Sequence, residues 1–126
     1  MNIKFNNGIS FEYINAYSVE YDYHKGKTRP SLEIHFPVSV ISYNELEEIV
    51  SDASNLKEIV LTGNTELLET GESYTPQNTY NSYNIKGKIT VDDERITVKL
   101  YKKSDLELEN EALINVVDEL LIAMEV

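Results

Sequence analysis

The chain of 126 residues contains no cysteine. This absence excludes disulfide bonds, thiol chemistry and thiolate metal sites from the sequence. Basic side chains are few, with 11 Lys and Arg against 22 Asp and Glu, which gives a formal net charge of −11. Nucleic acid and anionic membranes repel such a chain, so we expect no direct binding to either. No apolar run approaches the length needed to span a bilayer.

The length suits one domain with a substantial core. Its acidity is uneven, because residues 1–39 carry four basic and four acidic side chains, whereas residues 40–126 carry seven and eighteen. A basic surface is therefore the natural electrostatic partner for the later part of the chain. Residues 1–5 lack the apolar core of a signal peptide, so we expect the newly made protein to be cytoplasmic.

Strand patterns dominate the first part of the chain. Asn6-Asn7-Gly8 is a turn signal between residues 2–5 and 8–13, which predicts an opening hairpin. Residues 11–23 alternate with a period of two and predict a long strand with a bend or bulge near Asn15-Ala16. Residues 32–36 alternate as well, and Pro37 ends that strand. We expect these segments to form one sheet of at least three strands.

A short helix and a second hairpin follow. Ser42 and Glu45 have the spacing of a capping box, which predicts a helix over about residues 42–52 with Leu46, Ile49 and Val50 on one face. Residues 57–61 return to strand, and residues 63–84 are predicted to be a long loop with a broken strand inside it. Residues 85–91 and 96–100 alternate around an acidic turn at residues 92–94, which predicts the hairpin.

The terminal segment, residues 104–126, predicts a long helix. Ser104 and Glu107 form a second capping box, and acidic residues crowd the first turn, where the helix dipole favours them. Two sets of residues recur at intervals of seven, as the d and a positions of a heptad do. The d set is Leu106, Leu113 and Leu120, and the a set is Asn110, Val117 and Met124.

Three arrangements of this helix remain open from the sequence. It can pack on its own sheet, or on its own sheet with one face and another subunit with the other, or it can form a free-standing coiled coil. The second half is apolar around most of its circumference, and a narrow two-stranded contact would leave several of these side chains exposed.

No catalytic, cofactor or metal site is predicted. His24 and His35 have no partner nearby in the sequence for a nucleophile or a metal ion, and ordinary surface or edge histidines are the simpler interpretation. Asp92-Asp93-Glu94 lacks the glycine and spacing of a calcium loop and is better explained as a solvated turn. No phosphate-binding loop or nucleophile motif is present. We therefore expect the protein not to be an enzyme.

The nine tyrosines suggest packing and contact surfaces. Those at residues 13, 17, 21 and 23 follow the strand period, and we expect them to pack in the core. Tyr74, Tyr80 and Tyr83 lie among small polar residues of the predicted loop, where tyrosine often serves as an interface anchor. A contact surface there is a second hypothesis beside the terminal helix.

The sequence as a whole predicts an α+β fold, mostly antiparallel β, with an opening hairpin, about six or seven strands, one short inserted helix and a long C-terminal helix. Residues 1–103 would form the β-rich domain, and residues 104–126 the amphipathic helix that packs on the domain, on a partner subunit, or on both.

Several runs resemble short proteins from the tail modules of phages and prophages of Gram-positive bacteria. The runs are Tyr21-x-Tyr23-x-x-Gly26-x-x-Arg29-x-x-Leu32, then Phe36, Ser42-x-x-Glu45-Leu46-x-x-Ile49, Asn55, Lys57-Glu58-Ile59, Tyr80-x-x-Tyr83-x-Ile85 and Ile96-x-Val98-x-Leu100. The resemblance implies a non-enzymatic virion or tail component, made in the bacterial cytoplasm and then built into the particle. It supplies no active residues.

Two functions of different kinds follow as expectations. One is a structural or assembly protein of a phage tail or baseplate, whose partners are other phage structural proteins or further copies of itself. The other is a small acidic phage inhibitor that imitates DNA and occupies the basic groove of a host defence or nucleic-acid enzyme.

Overall fold

The computed structural model describes residues 1–124 and shows an α+β fold of ten strands and two α-helices, with a short 3-10 helix at Ala53–Leu56. The strands are β1 (Asn2–Lys4), β2 (Ser10–Glu12), β3 (Asn15–His24), β4 (Lys27–Pro37), β5 (Glu58–Thr62), β6 (Glu66–Leu67), β7 (Ser73–Tyr74), β8 (Gln77–Asn81), β9 (Ile85–Val91) and β10 (Arg95–Tyr101). The helices are α1 (Tyr43–Ser51) and α2 (Asp105–Met124). This confirms the predicted fold class.

The strands form two four-stranded antiparallel sheets and one small hairpin. The first sheet has the order β2-β1-β5-β8, the second has the order β3-β4-β10-β9, and β6 pairs with β7. Both predicted hairpins are present, as β1 with β2 and β9 with β10. The expectation that β1 to β4 share one sheet is wrong, because the chain bends at residues 13–14 and carries β3 and β4 into the second sheet.

Both four-stranded sheets contribute alternate apolar side chains to one core, as expected for strands with one buried face. The buried side chains from strands and their flanks are Ile3, Phe5, Leu32, Ile34, Phe36, Ile59, Leu61, Tyr83, Ile96, Val98 and Leu100. The helical region adds Ile41, Leu46, Ile49, Val50 and Leu56. Among residues 1–124, the core thus lies wholly within residues 1–103, which we call the body.

Helix α1 is fixed by a cap at its first turn and by the burial of one apolar face. The amide of Glu45 donates to Ser42 Oγ at 3.2 Å, and this hydroxyl in turn donates to Glu45 Oε1 at 3.1 Å. The predicted cap is therefore present, although the Glu45 carboxylate bonds to the hydroxyl of Ser42 and not to the Ser42 amide, as it would in a standard capping box. The three predicted apolar residues Leu46, Ile49 and Val50 are all buried. Capping sets where α1 begins, and its apolar face fixes it to the core.

Three of the four tyrosines between residues 13 and 23 depart from the prediction. Tyr13 packs against the core, but Tyr17, Tyr21 and Tyr23 are 53%, 76% and 74% exposed. Opposed residues of a ladder share a face. Ala16 and Ser18 lie opposite the buried Ile34 and Leu32, so Tyr17, opposite Glu33, faces away from the core. Tyr21 and Tyr23 lie beyond the register shift between Val19 and Asp22, near the hairpin turn, where residues 27–30 of β4 are not buried either. The period of two in the sequence therefore does not correspond to one buried face.

The predicted loop at residues 63–84 contains more structure than the sequence indicated. Besides the small hairpin of β6 and β7, it includes β8, which pairs with β5 from Thr62↔Gln77 to Glu58↔Asn81. The acidic turn before β10 is a hairpin turn as predicted. There the Asp92 carboxylate accepts the amides of Glu94 and Arg95 at 2.9 and 2.8 Å.

Candidate functional site

Helix α2 begins at the capping box that the sequence predicts. The Glu107 amide donates to Ser104 Oγ at 3.2 Å, and the Ser104 amide donates to Glu107 Oε1 at 3.4 Å. These two bonds satisfy donors that the first turn of a helix otherwise leaves free. The position of the helix start is therefore encoded locally.

An ion pair fixes the first turn of α2 to the body. Arg29 Nε and Nη2 donate to the two carboxylate oxygens of Glu107 at 2.7 and 2.8 Å, and Lys27 Nζ lies 3.9 Å from the same group. The side chains of Arg29 and Glu107 are only 14% and 15% exposed. The Arg29 guanidinium lowers the pKa of Glu107 to about 2, with help from the Ser104 amide. Such bidentate, sheltered pairs are among the strong hydrogen bonds.

Beyond its first turn, α2 is not buried by the body. None of its residues is buried. Ten large apolar side chains of the helix are exposed in the single chain. They are Leu106, Leu108, Leu113, Ile114, Val116, Val117, Leu120, Leu121, Ile122 and Met124. Monomeric soluble proteins rarely expose so large a continuous apolar surface, and such surfaces mark interaction sites.

The predicted heptad residues all lie within this exposed surface. Every member of the d set and of the a set is exposed, including Asn110. Packing of α2 on its own sheet is therefore not what the single chain shows. The burial of these residues against a partner subunit stays a prediction.

The three loop tyrosines are not brought together on one surface. Tyr74 is exposed on β7, while Tyr83 belongs to the core. Tyr80 packs edge to face on Tyr83, with ring centroids 5.8 Å apart. Burial raises the pKa of the Tyr83 hydroxyl. The hypothesis of a tyrosine contact surface therefore loses Tyr83, and only Tyr74 is freely available for contact.

A groove of about 510 Å³ lies where α2 leaves the body. Val19, Tyr21 and Pro30 line it from the β3–β4 side, and Leu106 lines it from the helix. Leu106 of α2 thus shares this groove with exposed apolar side chains of β3. Sequence reasoning missed the groove because it placed Tyr21 in the core.

The outer face of the second sheet carries a polar network that the sequence did not reveal. His35 lies on the interior strand β4, not at an edge, and its Nε2 is 3.0 Å from Glu33 Oε2. Its Nδ1 is 3.0 Å from Thr97 Oγ1 on β10. Tyr17 packs edge to face on its ring at 5.6 Å. Glu33 and His35 share a face of β4, but the pairing with β10 brings Thr97 to them and the pairing with β3 brings Tyr17, and the sequence specifies neither register.

The line of hydroxyl, imidazole and carboxylate in this network invites comparison with a nucleophile and its base. Catalysis of that kind also needs donors aimed at a developing oxyanion. The strands that carry the three groups lie inside the sheet, and their backbone amides serve the ladders on both sides. We interpret the network as a structural link between β4 and β10.

A second polar cluster lies on the same outer face. The Lys99 ammonium is 2.6 Å from Asp22 Oδ2, and Ser31 Oγ donates to the same oxygen at 2.9 Å. These two bonds lower the pKa of Asp22. His24 stacks on Tyr101 with ring centroids 4.1 Å apart. The cluster fixes the bulged end of β3 to the sheet.

Among residues 1–124, no group of three or more His, Asp or Glu is arranged to hold a metal ion. None of the helices in that range is both long and apolar enough to cross a membrane.

Comparison with models of known protein families, with curated proteins and with solved structures found no match to this chain.

Proposed function

We propose that the protein is a non-enzymatic structural or assembly protein that acts through protein–protein contacts made by α2. The observation that carries the proposal is the exposure of ten large apolar side chains on a helix with no buried residue. Burying one such side chain fully stabilises a complex by roughly 1.5–3 kcal/mol. An exposed apolar surface of this size promotes aggregation of a protein that acts alone, whereas a component of an assembly buries it against its partner.

The setting that we propose is a phage or prophage tail or baseplate, with other phage structural proteins or further copies of the chain as partners. The resemblance of the residue runs around β3, β4, α1 and β10 to tail-module proteins supports this setting. So does the division of the molecule into a compact body and a projecting contact helix, which suits a part that is added to a larger particle. The protein would act in the bacterial cytoplasm during assembly and remain in the virion.

The acidic inhibitor is the weaker alternative. A DNA mimic needs ordered rows of carboxylates that are free to meet a basic groove. Two carboxylates on one side of α2 are instead engaged within the chain, Glu107 by Arg29 and Glu111 by Lys103. Several others serve turns and caps, as Asp92 and Glu45 do.

The test is made in the phage or prophage that carries the gene. We expect the protein to be detected in purified particles by mass spectrometry, and the double variant Leu113→Glu, Leu120→Glu to be lost from them. The matched control places glutamate at two exposed apolar positions of the body, Leu67 and Val91, which are 79% and 54% exposed. We expect this control to be incorporated normally.

Particles that contain no such protein, and that form normally when the gene is deleted, would contradict the structural role. Equal loss of the helix variant and the body control would show that added charge, and not the helix surface, causes the defect.

A further inference from the structure

The second half of α2 has a wider apolar face than a paired helix needs. With Leu113 and Leu120 at d and Val117 and Met124 at a, the flanking e and g positions are Ile114, Leu121, Val116 and Ala123. At 3.6 residues per turn, these four kinds of position together cover about half of the helix circumference. A two-stranded coiled coil buries mainly a and d, so a single neighbour would leave the e and g side chains in water.

The geometry points to a parallel bundle in which the α2 helices of three or more copies of this chain pack together. The inference rests on the proposed function, because it names the partner of the same helix surface. In such a bundle each helix has two neighbours, and the apolar e and g side chains are covered as well as a and d.

The positions of the charges are compatible with a second copy as the occupant. In the heptad frame the carboxylates of Asp105, Glu111, Asp118 and Glu119 fall at b and c, which face solvent in a bundle. Two carboxylates fall beside the contact, and one of them, Glu107, is paired with Arg29 of its own chain. Of the six carboxylates of α2, five are thus either away from the contact or paired within their own chain, and Glu109 is the one that copies would bring beside the contact.

The order of polar and apolar segments favours the parallel orientation. Apart from Leu106, the first third of α2 is polar on its contact side, with Glu107, Glu109 and Asn110, whereas residues 113–124 are apolar there. An antiparallel neighbour would lay this polar third against the apolar end and bury polar groups without partners, which is costly. In parallel register Asn110 meets its own counterpart, the arrangement in which a single Asn at an a position specifies register.

The absence of native cysteine allows a direct test in the full chain. Leu113→Cys and Leu120→Cys place a thiol at d, where parallel copies in register bring the same residue within disulfide distance. Asn115→Cys and Ile122→Cys place it at f, on the outside of the bundle, and serve as matched controls. We expect oxidation to convert the d variants into covalent dimers and to leave the f variants largely uncrosslinked.

Light scattering on the same purified protein gives the number of copies. We expect a mass of three or more chains for the unmodified protein, and a changed number of copies for Asn110→Val, because removal of the polar a residue relaxes the choice of assembly state. A monomeric or dimeric mass, or equal crosslinking at d and f, would overturn the bundle.

The two proposals fail separately. If the purified chain is monomeric but the Leu113→Glu, Leu120→Glu variant is still lost from particles, α2 binds a different protein and the assembly role stands. If the chain forms the bundle but is absent from particles, the bundle stands and the virion role falls.

Discussion

Helices α1 and α2 begin in the same way and end in opposite environments. Both start with a serine whose hydroxyl accepts the amide three residues later, at 3.2 Å in each case. The nine residues of α1 place three side chains in the core, whereas the twenty residues of α2 place none there. The comparison shows that capping determines where a helix begins, and that the arrangement of its apolar residues determines what it packs against.

The difference lies in how the apolar residues are distributed. In α1 they are few and fall on one narrow face at helical spacing, which suits the edge of an existing core. In α2 they recur at intervals of seven and, in its second half, spread around most of the circumference, which suits neighbours on more than one side. The sharpest predictions therefore pair a change in α1 with the matching change in α2.

The largest effect is expected from truncating core leucine in α1. Leu46→Ala should lower the free energy of unfolding of the body by about 2–5 kcal/mol, because Leu46 is fully buried. Leu113→Ala should change it by only about 0.5 kcal/mol or less, because Leu113 is exposed. Urea denaturation followed by the circular dichroism of the tyrosines measures both. A comparable loss in the two variants would mean that α2 contributes to the core.

The next effect concerns the attachment of α2 to the body. The pKa of Glu107 is lowered to about 2 in the folded chain from an ordinary value of 4.5. The Arg29 contact therefore stabilises the folded chain fully above pH 4.5, and this stabilisation is lost as the pH falls from there towards 2. Hydrogen bonds to charged groups contribute roughly 1.5–3 kcal/mol each.

An NMR titration of the Glu107 carboxyl checks this prediction. Arg29→Gln should move the midpoint of Glu107 back towards its ordinary value and weaken the hydrogen-exchange protection of the first turn of α2. Lys103→Gln is the control, because Lys103 pairs with Glu111 one turn further on. A midpoint for Glu107 that is the same in all three proteins would show that the pair is not formed in solution.

A smaller effect is expected from the caps. Loss of a capping serine lowers the stability of a helix, or of the protein that depends on it, by about 0.5–2 kcal/mol. Ser42→Ala should therefore lower the free energy of unfolding of the body by this amount. Ser104→Ala should only make amide exchange in α2 faster, since no residue of α2 belongs to the core. If Ser104→Ala lowers the stability of the body, the two regions are more strongly coupled than their contacts indicate.

Local signals in the sequence were sufficient for much of the fold. The Asn-Gly turn, the two capping boxes and the alternation of residues 85–100 predicted the two hairpins and both helix starts, because each depends on residues close together in the chain. The sheet membership of β3 could not be predicted in this way. It depends on a bend at residues 13–14, close to the bend that the sequence predicts near Asn15-Ala16, and on the pairing with β4, which no local signal specifies.

The same limit applies to the candidate site. The heptad residues of α2 could be found from spacing alone, and all of them are exposed. The network around His35 could not, because it depends on the register that sets Thr97 opposite His35. The exposure of Tyr17 and Tyr23 was missed because it depends on the pairing with β4, which places Tyr17 opposite Glu33 and Tyr23 near the hairpin turn, where β4 is not buried.

The mass in solution of the full chain and of residues 1–103, measured by light scattering at low and high salt, tests the central claim most directly. We expect the full chain to be oligomeric at low salt and to remain so at high salt, because apolar contacts and not ion pairs hold the copies together. We expect residues 1–103 to remain folded and monomeric. A monomer of the full chain at both salt concentrations, or unfolding of residues 1–103, would contradict the claim that α2 is a contact helix between copies and not a part of the core.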